Sequence, residues 1–338
     1  MDSRLDDKKL LIFGLGAIQR LLETRFPNLP VVAYADNDPA KQGTQYRGRP
    51  VLAAENIRDI WSDDMAIVIG SSQMGAISQQ LDAMGFELGH EYFDGADFLS
   101  DREFREIFRF DPDMEEDFIR IYQQCRKFTM TSAARMYALY NAIRYVSDNR
   151  IPGDIVECGV WKGGSCMLAA LTLLHLGDTD RTIYLYDTFA GMSTPEDVDL
   201  DFQHNRAKEE WEKHKKGNMN LWCYSPLEAV RQNMLSTGYP AERLVFVQGK
   251  VEETIPGTMP SGIALLRLDT DWYASTRHEL DHLYPVLSEQ GVLIIDDYGY
   301  WQGARRAVDD YFADHPPRPL LHKIDFSGRV GIKPAGVR

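Results

Sequence analysis

The chain has 338 residues, of which 44% are apolar, 11% aromatic and 26% charged, and its formal net charge is −14 at pH 7. This composition is typical of a globular protein and excludes the collagen-like, disordered and disulfide-scaffold classes. Because acidic residues prevail, most of the surface would repel a polyphosphate chain, so nucleic acid is not an expected partner.

The start of the chain and its longest apolar runs give no sign of a membrane or a secretory route. The first residues, MDSRLDDKKL, lack the order of a signal peptide, and no apolar run approaches the roughly 20 residues of a membrane span. We therefore expect a cytoplasmic protein without membrane contact. The four cysteines show no CxxC spacing and are expected to be reduced, structural residues: Cys125, Cys158, Cys166 and Cys223.

Residues 1–100 are predicted to form a small Rossmann-like βαβ domain. Apolar runs that end in polar residues indicate strands at 9–16, 31–38 and 65–72, and a helix is predicted at 17–24. Strands that alternate with helices in this way favour a parallel sheet.

The turn after the first strand, FGLGAIQ, resembles the glycine-rich turn of a nucleotide-binding fold, and Asp36 and Asp38 follow the second strand. The third position of that fingerprint holds Gln19 instead of Gly or Ala. Three roles remain open for this domain: a structural or oligomerising part, a nucleotide or sugar-nucleotide site, or an NAD(P) site. The last would make the protein an NAD(P)-dependent, sugar-modifying oxidoreductase.

Residues 101–152 are predicted to be a helical lid or linker. Apolar residues recur there at spacings of three and four, which is typical of amphipathic helices. The predicted helices cover 101–110, 114–128 and 132–146. Pro152 and Gly153 end this region.

Residues 153–338 are predicted to form a larger, doubly wound α/β domain. Its near-continuous apolar strands alternate with helices, which indicates a mostly parallel sheet that is buried on both faces. Strands are predicted at 154–159, 182–187, 244–249, 263–269 and 292–297, and helices at 165–176 and 225–238.

The segment 201–222 within this domain is polar and dense in charge. Its Glu209 and Lys213 have the spacing of a helical ion pair, which favours a solvated helix on an insertion. A lid over a substrate cleft is the alternative, because the segment follows a strand and carries Trp211 and Trp222.

Ligands of open α/β sheets bind beyond the carboxyl ends of the strands, and acidic residues collect at those ends here. Glu157 opens the first turn, ECGVWKGGS, in which Gly159 and Gly163 let the backbone approach a ligand. An acid at this place would repel a pyrophosphate and suits the amino and sulfonium groups of S-adenosylmethionine. Asp187 ends the next strand and is predicted to accept the ribose hydroxyls, with a helix N-cap at Asp187 or Thr188 as the alternative.

Four aspartates follow the last two predicted strands: Asp269, Asp271, Asp296 and Asp297. If these strands are neighbours, Asp269 converges with Asp296 and Asp297, and their repulsion requires a proton or a cation. Oxygen ligands without His or Cys suit Mg²⁺, and Mn²⁺ also fits. Alternatively, these acids cap helices or form surface ion pairs with Arg267, Arg305 or Arg306. His278 and His282, one turn apart in the next helix, are rival candidates for a base or an acceptor contact.

Residues from about 128 to 330 resemble the macrocin-type (TylF-like) sugar O-methyltransferases, which depend on S-adenosylmethionine and a metal ion. Five segments in the same order carry the resemblance: TMTSAARMYALYNAI (129–143), GDIVECGVWKGGS (153–165), YLYDTFAGMSTP (184–195), VQGKVEETIP (247–256) and the run at 265–308 that contains LLRLDTDWY and LIIDDYGYW. The resemblance implies a class I methyltransferase domain, preceded here by an extra Rossmann-like domain, and a role in tailoring natural products or polysaccharides.

The resemblance also implies roles for single positions. Those matched to cofactor binding are Met130, Glu157, Gly159, Gly163, Asp187, Lys250, Val251 and Glu252. Those matched to the metal are Asp269, Asp296 and Asp297, and those matched to catalysis are Asp271, as the general base, and Asp269. Arg135 lies in the segment matched to a lid and is expected, like His278, to contact the substrate.

These features predict a Mg²⁺-dependent O-methyltransferase that acts on a sugar hydroxyl of a glycoside or a sugar nucleotide. A hydroxyl near a cation loses its proton more readily, and a neighbouring carboxylate can accept that proton. The alternatives are the NAD(P)-dependent oxidoreductase and a non-catalytic scaffold with a methyltransferase fold. A homo-oligomer is expected, because the related enzymes complete their sites across subunits.

Overall fold

The structure is a computed structural model, and it describes residues 5, 7–108, 110–217 and 219–336. The chain folds as two compact units, Met1–Met114 and Glu115–Arg338. The division falls inside the segment predicted as a single lid or linker, because the first helix of that segment belongs to the first unit and the other two pack in the second. Two predicted segments, 101–110 and 201–222, each contain one residue outside the described ranges.

The first unit is a six-stranded sheet with helices, as an alternating βαβ pattern requires. Its strands are β1 (Lys9–Phe13), β2 (Val31–Ala35), β3 (Gln45–Tyr46), β4 (Arg49–Leu52), β5 (Met65–Ile69) and β6 (Tyr92–Asp94). Its helices are α1 (Ala17–Arg25), α2 (Ile57–Ile60), α3 (Met74–Ala83) and α4 (Asp101–Phe108). The strand order is β3-β4-β2-β1-β5-β6, and every pair is parallel except β3 with β4. The three predicted strands and the first helix are confirmed.

The second unit contains the larger sheet. Its strands are β7 (Asp154–Cys158), β8 (Ile183–Asp187), β9 (Lys215–Lys216), β10 (Met219–Asn220), β11 (Leu244–Gln248), β12 (Ile263–Leu268), β13 (Leu287–Ile295), β14 (His322–Lys323) and β15 (Arg329–Ile332). Its helices are α5 (Glu116–Cys125), α6 (Ala133–Asp148), α7 (Gly164–Leu176), α8 (Ala207–Lys213), α9 (Leu227–Leu235), α10 (Val251–Thr254), α11 (Tyr273–Leu283) and α12 (Gln302–Asp314).

The order of the seven-stranded sheet is β11-β8-β7-β12-β13-β15-β14. The strands from β11 to β13 are parallel, and β15 runs antiparallel to both β13 and β14. The order reverses between β7 and β12, which is where a doubly wound sheet opens a crevice for a ligand. All five predicted strands are confirmed, and the predicted doubly wound fold with them.

The core of this unit explains its apolar strands. Every residue of β12 is buried, and Leu266 packs with Leu280 of α11 and Val308 of α12. Burial of each such side chain contributes roughly 1.5–3 kcal/mol to the free energy of folding. The cysteines form no disulfide, and Cys125, Cys158 and Cys166 are buried, as expected. Within the described ranges, no helix has the length and apolar character needed to cross a bilayer.

The charge-dense insertion forms helix α8 and a short hairpin, β9 and β10. Lys213 pairs with Glu210 at 2.8 Å instead of with the predicted Glu209. The two tryptophans face inward: Trp211 donates its indole N–H to the carbonyl of Met192 at 2.9 Å, and Trp222 packs against Trp272 and Trp301. The insertion therefore packs through its tryptophans near the start of α11, in addition to forming a solvated helix, and its role as a lid stays a prediction.

Candidate active site

The strand-end acids converge at the crevice between β7 and β12. Arg267 and Glu157 are register partners across β12 and β7, and Leu268 pairs with Ile295 across β12 and β13. Because side chains alternate between the faces of a strand, Glu157, Arg267 and Asp269 share one face. Asp296 is brought to Asp269 by the same register, as its backbone N–H bonds to the carbonyl of Leu268 at 2.9 Å.

Asp269, Asp296 and Asp297 form a compact triad. Each offers one carboxylate oxygen, and these oxygens lie within 4.8 Å of one another. Asp296 and Asp297 are buried, with exposed fractions of 3% and 8%. Burial raises the pKa of Asp269 and of Asp297 well above the usual range, and the neighbouring aspartates raise both further. The triad is therefore costly to keep charged without a cation.

The chemistry of the triad fits a hard divalent cation. All of its donors are carboxylate oxygens, which Mg²⁺ prefers to nitrogen or sulfur. The Oδ2 atom of Asp297 is buried and has no hydrogen-bond partner among the described residues. A buried carboxylate oxygen without a partner costs free energy unless something binds it. These residues are the ones that the sequence predicted as metal ligands.

Asp271 lies beside the triad in a strained backbone conformation. Its φ is 66°, in the left-handed region that costs about 1–3 kcal/mol for a residue other than glycine. Burial raises the pKa of Asp271 to about 7, although the neighbouring Asp297 and Trp301 side chains oppose the shift. A carboxyl group with a pKa near 7 can accept a proton and release it again at neutral pH.

Arg267 is the main residue of this site that the sequence analysis misplaced. It was considered a surface partner of the aspartates, but its side chain is 2% exposed and lies inside the sheet. It pairs with the carboxylates of Glu157, Asp269 (2.7 Å) and Asp296 (2.5 Å). A charged residue in the middle of an apolar strand, two positions before Asp269, was the signal that pointed to this role.

Arg305 and Arg306, the other surface partners considered, bind elsewhere. They lie on α12 and pair with Asp309 and Asp310 at 3.8 and 3.4 Å. Their side chains are 63% and 64% exposed, so these ion pairs contribute little to stability. Asp269 and Asp296 are thus paired from within the sheet by Arg267 and not by the surface arginines.

Glu157 lies beneath the glycine turn, as predicted. Its carboxylate accepts hydrogen bonds from Ser165 and Cys166 as well as from Arg267, and the residue is 4% exposed. It therefore supports the turn from below. The turn itself needs its glycines: Gly159 has a φ of 80°, and a Cβ placed on it would lie 1.9 Å from the carbonyl oxygen of Asp269. Gly163 has a φ of 87° and forms the N-cap of α7.

Asp187 holds the same turn from the neighbouring strand. Its Oδ2 accepts the backbone N–H groups of Val160 (2.8 Å) and Trp161 (3.0 Å), and its Oδ1 accepts that of Phe189 (2.8 Å). No helix begins at Asp187 or Thr188, so the N-cap alternative is wrong. Burial raises the pKa of Asp187, and these N–H groups oppose the shift. Its contact with a ribose stays a prediction.

The remaining predicted cofactor residues lie at the same edge of the sheet. Lys250, Val251 and Glu252 follow β11, whose last residue is the register partner of Asp187. Met130 is 42% exposed in the segment that leads into α6. That segment lies on the start of α7, since a Cβ on Gly164 would come within 2.6 Å of the Phe128 carbonyl oxygen.

The two predicted substrate residues have different places. Arg135, in the first turn of α6, is bonded to Asp296 and to Asp325. His278 bonds through Nε2 to the carbonyl of Ile255 at 2.9 Å and lies in α11, about 7.5 Å along the helix from Tyr273 at the helical rise of 1.5 Å per residue. The structure therefore does not bring His278 to the acids, because its helix carries it away from the strand ends.

The first unit contains a glycine turn of its own, with its acid already bonded. Asp36 accepts the N–H of Leu15 at 2.8 Å and that of Asp38 at 2.9 Å, and it pairs with Lys41 at 3.0 Å. The unexpected Gln19 is 1% exposed and fits because Gly70 faces it: a Cβ on Gly70 would lie 2.7 Å from the Cβ of Gln19. Gly70, on the other side of the turn, thus leaves the space that a glycine at position 19 would leave in the usual fingerprint.

Comparison with known proteins places the second unit in a family. A sequence profile of the family described as Macrocin-O-methyltransferase (TylF) matches residues 118–330. The chain is 34% identical over 200 residues, 59% of its length and 73% of the relative, to the Streptomyces olivaceus 8-demethyl-8-(2,3-dimethoxy-alpha-L-rhamnosyl)-tetracenomycin-C 4'-O-methyltransferase. It is 31% identical over 202 residues, 59% of its length and 76% of the relative, to the Micromonospora griseorubida mycinamicin III 3''-O-methyltransferase.

A solved structure supports the same grouping. The O-methyltransferase NovP matches 66% of this chain and 90% of its own, with a TM-score of 0.54 and 28% sequence identity. The profile begins at residue 118, so the first unit lies outside the matched region.

Proposed function

Because the chain belongs to the macrocin-O-methyltransferase (TylF) family, and is thus an S-adenosylmethionine-dependent O-methyltransferase, we propose that it methylates a sugar hydroxyl with the help of Mg²⁺. Asp269, Asp296 and Asp297 would hold the cation. The observation that carries the proposal is the triad of carboxylates, two buried and one (Asp269) partly exposed, with oxygens within 4.8 Å of one another, beside a glycine turn at the switch point of the sheet.

The names of the relatives support a sugar as the acceptor. The Streptomyces olivaceus enzyme is named for O-methylation at the 4' position of a rhamnosyl compound, and the Micromonospora griseorubida enzyme for the 3'' position of mycinamicin III. We propose the same class of acceptor, a glycoside or a sugar nucleotide, for this chain.

In this mechanism the chain positions two reactants and accepts one proton. The turn at Gly159 and Gly163, held by Glu157 and Asp187, would place the methyl donor over the carboxyl ends of β7 and β8. Mg²⁺ supplies Lewis acidity that makes a sugar hydroxyl more acidic. Asp271 would accept the hydroxyl proton as the new C–O bond forms and the C–S bond of the sulfonium breaks.

Other residues would keep this arrangement in place. Trp301 lies near Asp271, lowers its pKa, and packs against Trp272 and Trp222. Trp222, Trp272 and Trp301 form an apolar cluster at the edge of the insertion, which would help to exclude water from the proton transfer. Positioning of this kind supplies a large part of the acceleration in a two-substrate reaction.

Calorimetry with S-adenosylmethionine, with and without Mg²⁺, followed by methyl transfer to a panel of glycosides, tests the proposal. Asp296→Asn should keep cofactor affinity and abolish turnover, whereas Asp281→Asn, a change to an exposed acid on α11, should leave both unchanged. Full turnover of the wild-type enzyme in excess EDTA would remove the cation from the mechanism.

For the first unit we propose a structural role. Asp36, the acid that would bind a ribose in a dinucleotide site, already accepts two backbone N–H groups and Lys41. Fluorescence titration with NADH should therefore detect no binding at millimolar concentration. Saturable binding that Asp36→Asn weakens would favour the oxidoreductase alternative. Light scattering would test the expected homo-oligomer.

A further inference from the structure

Arg135 contacts an oxygen of the triad. Its Nη1 donates to Oδ2 of Asp296, and its side chain is 17% exposed. The other oxygen of Asp296, Oδ1, accepts a hydrogen bond from Arg267 at 2.5 Å. Both oxygens of one predicted metal ligand are therefore bound to arginines.

The two arginines differ in their freedom to move away. Arg267 is 2% exposed, and its guanidinium also contacts Glu157 and Asp269. It therefore cannot move away from Asp296 without leaving these two acids without their cationic partner. Arg135 lies at the start of a helix and has a second acceptor: its Nε donates to Oδ2 of Asp325 at 3.0 Å. It can release Asp296 and still keep a carboxylate partner.

Asp325 is built to retain Arg135. Its Oδ1 accepts the backbone N–H groups of Ser327 and Gly328 at 2.9 and 2.8 Å, which fixes it in the turn before β15. Its Oδ2 accepts the hydroxyl of Ser132, the N-cap of α6, at 2.6 Å. Gly328 leaves room for the arginine stem, since a Cβ there would lie 2.8 Å from Cδ of Arg135.

We propose that Arg135 is a competing cation: it neutralises Asp296 when no metal ion is bound and withdraws to Asp325 when the ion enters. This inference rests on the proposed function, because it takes the triad as the metal site. Like charges repel, so a divalent ion at the triad and a guanidinium on Oδ2 of Asp296 disfavour each other. Arg135 would thus control whether the triad is open to the cation, and its contact with a substrate stays a prediction.

The proposal predicts opposite effects from two variants on the binding of Mn²⁺, measured by the electron paramagnetic resonance of the free ion. Arg135→Met removes the competitor and should tighten binding about tenfold, within the usual range of coupling between sites. Asp325→Asn removes the second acceptor but keeps the turn, because the amide oxygen still accepts both N–H groups. It should hold Arg135 at Asp296 and weaken binding several-fold.

The double variant separates competition from a general structural effect. Once Arg135 is gone, Asp325→Asn should have no further effect on Mn²⁺ affinity. Arg306→Met, on the exposed face of α12, is the matched control and should not alter affinity. If Arg135→Met is too unstable to study, Arg135→Gln and the Asp325→Asn result carry the same test.

The outcomes distinguish this inference from the proposed function. Unchanged or weaker Mn²⁺ binding in Arg135→Met, with normal binding in the wild type, overturns the competition alone. Equal affinity of Asp325→Asn and the wild type does the same. Absence of Mn²⁺ binding in both the wild type and Arg135→Met overturns the metal site itself.

Discussion

Replacing Arg267 with Met tests whether the buried guanidinium is what allows three acids to share one face of the sheet. Methionine keeps most of the side-chain volume but removes the charge that Glu157, Asp269 and Asp296 share. Removal of one partner of a buried ion pair costs about 3–5 kcal/mol, because the other partner is left uncompensated. For a unit of this size that corresponds to a loss of roughly 6–20 °C in Tm.

The pH dependence of this loss identifies its cause. Arg267 lowers the pKa of Asp269, which burial raises, so without Arg267 that pKa rises further and the folded variant binds more protons than the unfolded chain between about pH 5 and pH 8. Its stability should therefore fall as pH rises, and the deficit against the wild type should be larger at pH 8 than at pH 5. Mg²⁺ should restore part of the lost Tm at pH 8 by binding the folded state.

Thermal unfolding followed by circular dichroism at both pH values is the assay. Arg277→Met is the control, because that arginine pairs with exposed acids on α11 and α12 and should cost below about 1 kcal/mol. A deficit that is equal at pH 5 and pH 8 would mean that lost packing, not uncompensated charge, destabilises the variant, and the reasoning would fail.

Three further predictions concern the turn, the base and the first unit. Asp271→Asn should abolish turnover but preserve S-adenosylmethionine affinity. In the wild type at limiting Mg²⁺, kcat should rise as the pH increases through about 7, because Asp271 must lose its proton to act as the base. A kcat that does not change with pH would contradict this role of Asp271. Gly159→Ala should weaken cofactor binding and lower Tm, because its Cβ would collide with the Asp269 carbonyl; calorimetry that detects unchanged affinity would refute this. Although burial opposes it, the N–H groups of Asp38 and Leu15 and the Lys41 ammonium lower the pKa of Asp36. Asp36→Asn should therefore destabilise the protein by about 1–2 kcal/mol at pH 7, and denaturant unfolding should detect a smaller difference as pH falls below about 4.

The strands and their acids were predictable because each depends on short-range pattern. Apolar runs that end in an acidic residue predicted β7, β8, β12 and β13. The rule that ligands bind at the carboxyl ends of strands then predicted that Asp269 lies near Asp296. The hairpin of β14 and β15 was not predicted, since its strands are two and four residues long. Its Asp325 binds a residue 190 positions away, a contact that no local pattern indicates.

Side-chain partners were harder to predict than positions. Asp187 was expected to face a ligand, yet its oxygens accept three backbone N–H groups of neighbouring turns. His278 is a candidate because of its residue type, whereas in the structure its Nε2 bonds to the carbonyl of Ile255, so its contact with a substrate stays a prediction. Residue type therefore indicated the chemistry of the site better than it indicated which side chains meet.

The contact between Gly159 and Asp269 has a consequence for how such an enzyme can diversify. The carbonyl of Asp269 occupies the space that a side chain on Gly159 would need, so the turn proposed to hold the cofactor and the first proposed metal ligand are in backbone contact. The spacing of donor and acceptor would then be set by backbone, which point mutations rarely move. Under the proposed function, substitutions in the insertion and the hairpin would then alter the acceptor side of the site and leave the geometry of methyl transfer unchanged.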